Sequence, residues 1–127
     1  MKKILCIVET AYRATQEEQD DAALWLAHSV RRAGGELGVV LRGNAVSYAV
    51  AGQDPTGITI GSTSIARPPR PDEDLLKMTK EGIAVHVVKE DVEARGIPRE
   101  RLVAEFELIE AARLPELFSR YDQIWHM

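Results

Sequence analysis

Cysteine is nearly absent: Cys6 is the only one among 127 residues. A lone cysteine excludes an intramolecular disulfide, fits a reducing compartment, and makes the cytoplasm the expected location. It also excludes a multi-thiolate metal site. The three histidines, His28, His86 and His126, share no local ligand spacing, so no metal is expected and each reads as a partly buried or surface side chain. Long apolar runs are absent too. Met1-Lys2-Lys3 and Ile4 to Val8 begin like a signal peptide, but the run is short and stops at Glu9, so it reads as a strand. No stretch reaches the roughly 20 apolar residues of a membrane span, so no membrane partner is expected. No block of positive charge is present: 16 Lys and Arg stand against 20 Asp and Glu, for a net charge of −4. Arg67-Pro68-Pro69-Arg70 is too short to make a nucleic-acid footprint. No Walker loop, G-x-S-x-G elbow or H-E-x-x-H pattern occurs.

What is there is an ordinary globular composition, 45% apolar and 28% charged. The length suits one domain over residues 1–127, with enough chain for a hydrophobic core. Ile4 to Val8 and Leu37 to Leu41 are unbroken apolar runs, the pattern of strands covered on both faces. Ala84 to Val88, Glu105 to Ile109 and Gln123 to His126 read as three more strands. A helix is expected from about Gln16 to Ala33. Thr15 and Glu18 have capping-box spacing, acidic residues fill the first turn, and Gly34-Gly35 can end it in a left-handed conformation. Ala45 to Ala51 reads as one or two helical turns. Asp72 to Lys80 reads as a helix stopped at Gly82, and Pro115 opens another to about Tyr121. Asp91 to Leu102 is mixed, broken by Gly96 and Pro98. Gly52 to Pro71 is the longest irregular stretch, the kind that is functional or mobile, with Ile58 to Ile60 as a short strand inside it. Strands and helices alternate, which argues for a mostly parallel sheet with helices on both faces.

Such sheets bind nucleotides at the carboxyl ends of their strands. Here the loop after the first strand contains no glycine, and the next helix opens with Glu17, Glu18, Asp20 and Asp21. That acidic turn repels phosphate, which argues against a flavodoxin-like cofactor; none is expected. Polar residues do gather at the expected strand ends: Glu9, Thr10, Tyr12, Arg42, Asn44, Glu90 and Asp91. If the first and third strands flank the switch-point crevice, Glu9, Glu90 and Asp91 crowd one edge. Crowded carboxylates raise one another's pKa and can act as acid and base. The plainer reading is that strand ends are polar because they meet water.

Four segments together resemble the DsrE/TusD-like sulfur-relay family. Thr10-Ala11-Tyr12-Arg13-Ala14-Thr15-Gln16 is similar to the Pro-Tyr-Gly-Thr segment after the family's first strand. Leu41-Arg42-Gly43-Asn44-Ala45-Val46 is similar to the segment after its second strand. Gly82 to Val88 followed by Arg95-Gly96-Ile97 resembles its third strand and the Arg-Gly pair beyond. Tyr121-Asp122-Gln123-Ile124-Trp125 resembles its terminal strand. The resemblance covers nearly the whole chain and implies one DsrE-like domain. Its expected fold is a three-layer α/β/α arrangement with a mostly parallel five-stranded sheet, flavodoxin-like or DsrE-like. Sulfur-carrying members hold a persulfide on a cysteine at the end of the third strand, and the matching position here is Val88. Valine offers no nucleophile. Cys6 is no substitute if, as its place inside the first strand implies, it is a small core hydrophobe. The resemblance thus implies an accessory, non-carrier subunit of sulfur metabolism, forming a homo-oligomer (trimer or hexamer before dimer) or pairing with a related cysteine-bearing subunit. A small-molecule site or enzyme using the carboxyl-end crevice of strands one and three is the alternative. For Trp125, near the end of the last strand, two placements compete: a subunit interface, or packing inward against Leu117 or Phe118.

Overall fold

The structure is a computed structural model and describes residues 3–10, 27, 29–32, 34–52, 58–65 and 71–126, with backbone alone for 58–60 and 63–65. Five strands form one parallel sheet: β1 (Lys3–Val8), β2 (Glu36–Leu41), β5 (Ala84–Val88), β6 (Glu107–Ile109) and β7 (Gln123–His126), in the order β6-β5-β2-β1-β7. A separate antiparallel hairpin joins β3 (Ile58–Ile60) to β4 (Thr63–Ile65), so the strand expected inside the long Gly-rich stretch has a partner. Among the described residues, helices run over α1 (Pro71–Lys80), α2 (Lys89–Ala94) and α3 (Leu114–Phe118). Residues 27 and 29–32 are helical as well, and a 3₁₀ helix spans Gly43–Ala49. The Thr15 cap and Tyr12 lie outside the described residues.

The apolar pattern accounts for the strand order. β1 and β2 are buried at every position after the first, so they must lie between other strands and between two covered faces. β7 alternates between half-buried and exposed, the signature of an edge. One face carries Ile4, Cys6, Val8, Val39, Leu41, Val85 and Val87, packed against Ala27 and Leu75 and Met78 of α1. Val92 of α2 joins the same cluster. The other face carries Leu5, Ile7, Val40 and Val88 under Leu114 and Leu117 of α3. This is the expected three-layer arrangement. Each fully buried Leu or Val here contributes about 1.5–3 kcal/mol. Trp125 does not pack against Leu117 or Phe118: it pairs in register with Cys6 and packs, half-buried, on the first face. No helix among the described residues is long and apolar enough to cross a membrane.

Helix ends follow the glycines. Gly82, at φ 89°, ends α1 while Ile83 N donates to Met78 O and Gly82 N to Thr79 O, the paired bonds of a Schellman motif. The same pair closes the helical turn before β2, where Gly34 at φ 102° donates to Arg31 O and Gly35 to Val30 O. α2 starts at Lys89, earlier than the Asp91 to Leu102 reading had it, directly out of β5.

Candidate functional site at the carboxyl ends of the strands

Chain order sets which strand exits meet. β1, β2, β5 and β6 step outward in one direction, and β7 returns to the far side of β1. The reversal therefore lies between β1 and β7, with β2 on the other flank of β1. Glu9, the first residue past β1, sits between the exits of both neighbours. Arg42, just past β2, donates through Nε to Glu9 Oε1. His126, closing β7, places Nε2 3.1 Å from Glu9 Oε2. The Glu9 backbone carbonyl also accepts Ala45 N at 3.2 Å, which ties the β1 exit to the 3₁₀ helix. Partial desolvation alone would raise the Glu9 pKa, but hydrogen bonds and charge from Arg42 and His126 outweigh it and hold the carboxyl below its usual value.

The three carboxylates expected to crowd one edge do not meet. β2 lies between β1 and β5, so the exits of the first and third long strands are not neighbours. Each carboxylate has its own donors instead. Asp91 accepts Gly43 N at 2.9 Å, joining α2 to the β2 exit, and lies 3.8 Å from Arg95 Nη1 one helical turn on. Arg95 also donates to Asn44 Oδ1 at 3.0 and 3.2 Å. Glu90, next in sequence to Asp91, turns the opposite way and accepts Ala111 N, just past β6, at 2.9 and 3.1 Å. Thr10 is exposed. Of the sequence-derived set, the structure groups Glu9 with Arg42, and Asn44 with Asp91. His126 and Arg95 complete these groups and were not in that set. Arg95 was legible from its i,i+4 spacing to Asp91; His126 was not, because nothing local says that β7 lies beside β1.

Val88 and Cys6 lie on opposite faces of the sheet. Val88 is 3% exposed and belongs to the cluster under α3. Cys6 is fully buried in the other cluster, and burial pushes its thiol up to about 11. His86 departs from the expectation of a partly buried or surface histidine. It is 6% exposed, in the middle of β5, where both neighbouring strands shield it. Among the described residues, no group of three or more His, Cys, Asp or Glu could hold a metal ion.

No family model and no curated protein matches the sequence. Solved structures do. The chain is similar to the ychN protein from E. coli at a TM-score of 0.77 and 21% identity, with 100% of each chain covered. It is similar to BT1422 from Bacteroides thetaiotaomicron, a conserved protein of unknown function, at a TM-score of 0.68 and 14% identity, over 99% of this chain and 95% of that one. MTH1491 from Methanobacterium thermoautotrophicum, also of unknown function, matches at a TM-score of 0.65 and 11% identity, with both chains covered in full. At such identities the likeness is one of fold: an α/β chain with a five-stranded parallel sheet, shared end to end with proteins of unknown function.

Proposed function

We propose that this chain is an accessory subunit of a DsrE/TusD-like sulfur-relay system, acting in the cytoplasm as a homo-oligomer and carrying no sulfur itself. The observation that supports this most is the state of its one thiol. Sulfur transfer needs a thiolate that can reach the sulfane sulfur of a donor. With a pKa near 11, about one Cys6 in ten thousand is ionised at neutral pH. Full burial between sheet and helices keeps donors away. Val88, at the position where carriers of the resembled family have their cysteine, has no sulfur to offer. A role in the relay then requires another chain, and a related cysteine-bearing subunit is the partner this reading favours. The alternative, acid–base chemistry at the carboxyl ends, loses support because the carboxylates there are held apart and separately partnered.

The test is direct. Folded protein is treated with a sulfane donor, blocked with an alkylating agent and weighed intact. No gain of one sulfur atom is expected. A stoichiometric gain on Cys6 that cyanide removes would overturn the non-carrier reading. Co-purification with a cysteine-bearing relative that does take up sulfur would favour the paired form of the assembly.

A further inference from the structure

The sheet face under α3 divides in two along the strands. Its carboxyl half is paved by Ile7, Val40 and Val88 and covered by Leu114 and Leu117. Beside the fully buried Leu5 of β1, the side of this face nearer β5 and β6 is small and polar. Gly38 and Ala84 are register partners on β2 and β5, and His86 follows with Glu107 beside it on β6. Small side chains on adjacent strands leave a depression. Two adjoining cavities of about 140 and 490 Å³ occupy this region, and His86, Glu107, Leu117 and Arg120 line both. Tyr121 lies over the floor: a Cβ at position 38 would collide with its hydroxyl oxygen, so glycine there leaves the room that the phenol uses.

The polar groups here are unusual for a sheet face. His86 is nine-tenths buried, yet its Nδ1 has no hydrogen-bond partner. Glu107 Oε2, at 3.5 Å, is beyond good hydrogen-bond length. Buried polar atoms without partners are rare and call for an explanation, a missing ligand among them. Around the larger cavity, Lys3, Arg31 and Arg120 stand against Glu36 and Glu107, an excess of positive charge. Arg31 is held in place by the carbonyl oxygens of Gly35 and Glu81. Burial keeps the Tyr121 phenol protonated and a donor, and burial likewise favours the neutral form of His86. Ala84 and Leu117 give the cavity an apolar wall beside these convergent polar groups, a combination found in small-molecule pockets.

We infer that this groove binds a small organic carboxylate, with its apolar part on Ala84 and Leu117 and its anion met by Arg120, Tyr121 and His86. The inference stands apart from the accessory role, since it concerns neither Cys6 nor the carboxyl-end cluster. Benzoate is a suitable probe, and benzyl alcohol is its counterpart without the charge. The ring resonances of His86 and Tyr121 are followed by NMR on the full chain. Benzoate should shift both saturably, and benzyl alcohol should bind at least about tenfold more weakly, as expected where charge-assisted hydrogen bonds hold the anion. Arg120 is exposed and its partner Glu116 is a surface pair, so Arg120→Gln should fold normally. It should raise the benzoate Kd at least about fivefold. No saturable shift up to about 50 mM benzoate, equal binding of the alcohol, or unchanged affinity in Arg120→Gln would each overturn the inference.

Discussion

Single residues carry most of what distinguishes this chain. Cys6 and Val88 lie in the same sheet but project to opposite faces, because side chains alternate along strands. One cannot replace the other by a small shift. His86 is the residue whose environment the sequence hid, and its burial has a consequence for pH. Desolvation lowers its pKa below the ordinary 6.5; Glu107 pulls upward and Arg120 adds to the lowering. Above about pH 6.5 the imidazole is neutral whether the chain is folded or not, and it leaves stability unchanged. As pH falls below that value the unfolded chain takes up the proton first, so stability drops until the folded pKa is passed. Urea midpoints at about pH 7.5 and 5.5 should therefore differ, with the lower pH less stable. In His86→Gln the difference should shrink. An identical difference in both proteins would place the titration elsewhere.

At the scale of elements, the junctions are held by side chains that cap the ends of neighbouring elements. α2 begins directly out of β5, and Asp91 in its first turn reaches across to Gly43 N past β2. Glu90 does the same for Ala111 past β6. Consecutive acidic residues thus clamp the exits of the strands on either side of β5. Their acidity at the start of α2 also suits the helix dipole. Asp91→Ala should cost about 1–3 kcal/mol, the range for leaving a backbone amide without its partner. Chemical denaturation checks this, and Asp91→Asn should recover part of the loss because its oxygen can still accept. A midpoint unchanged in Asp91→Ala would show that the β2 exit is held by Glu9 and the backbone alone.

At the scale of the whole molecule, the sheet ends, among the described residues, in β6 on one side and β7 on the other. β6 is only three residues long, while β7 presents Ile124 at 41% exposure, an apolar side chain on an edge strand. Edges of this kind are paired or covered in stable proteins, which fits the proposed homo-oligomer. Light scattering coupled to size exclusion should give a multiple of 14.1 kDa, a trimer or hexamer first. Ile124→Glu should lower that mass without unfolding the chain, since the residue takes no part in either core cluster. Trp125 is the wrong residue to remove, because it packs on the core against the β1 face. A mass near that of one chain at two protein concentrations would defeat the assembly proposal.

The long strands and the stops of the helices were legible in the sequence because they rest on local physics. An unbroken apolar run such as Ile4 to Val8 has to be covered on both sides. A Gly at the end of a helical pattern, such as Gly34 or Gly82, permits the positive φ that closes it. The inert placement of Cys6 follows from the same run. The tertiary structure alone decided which strands are neighbours. With β2 between β1 and β5, the expected cluster of Glu9, Glu90 and Asp91 dissolved, and Glu9 met Arg42 and His126 instead. Adjacency of strands depends on how crossovers pack over the whole sheet, and no residue records it locally. The groove over Gly38, Ala84 and His86 has the same origin. It needs three strands in register and Tyr121 laid across them, a coincidence of positions between 38 and 121 that no local pattern spells out.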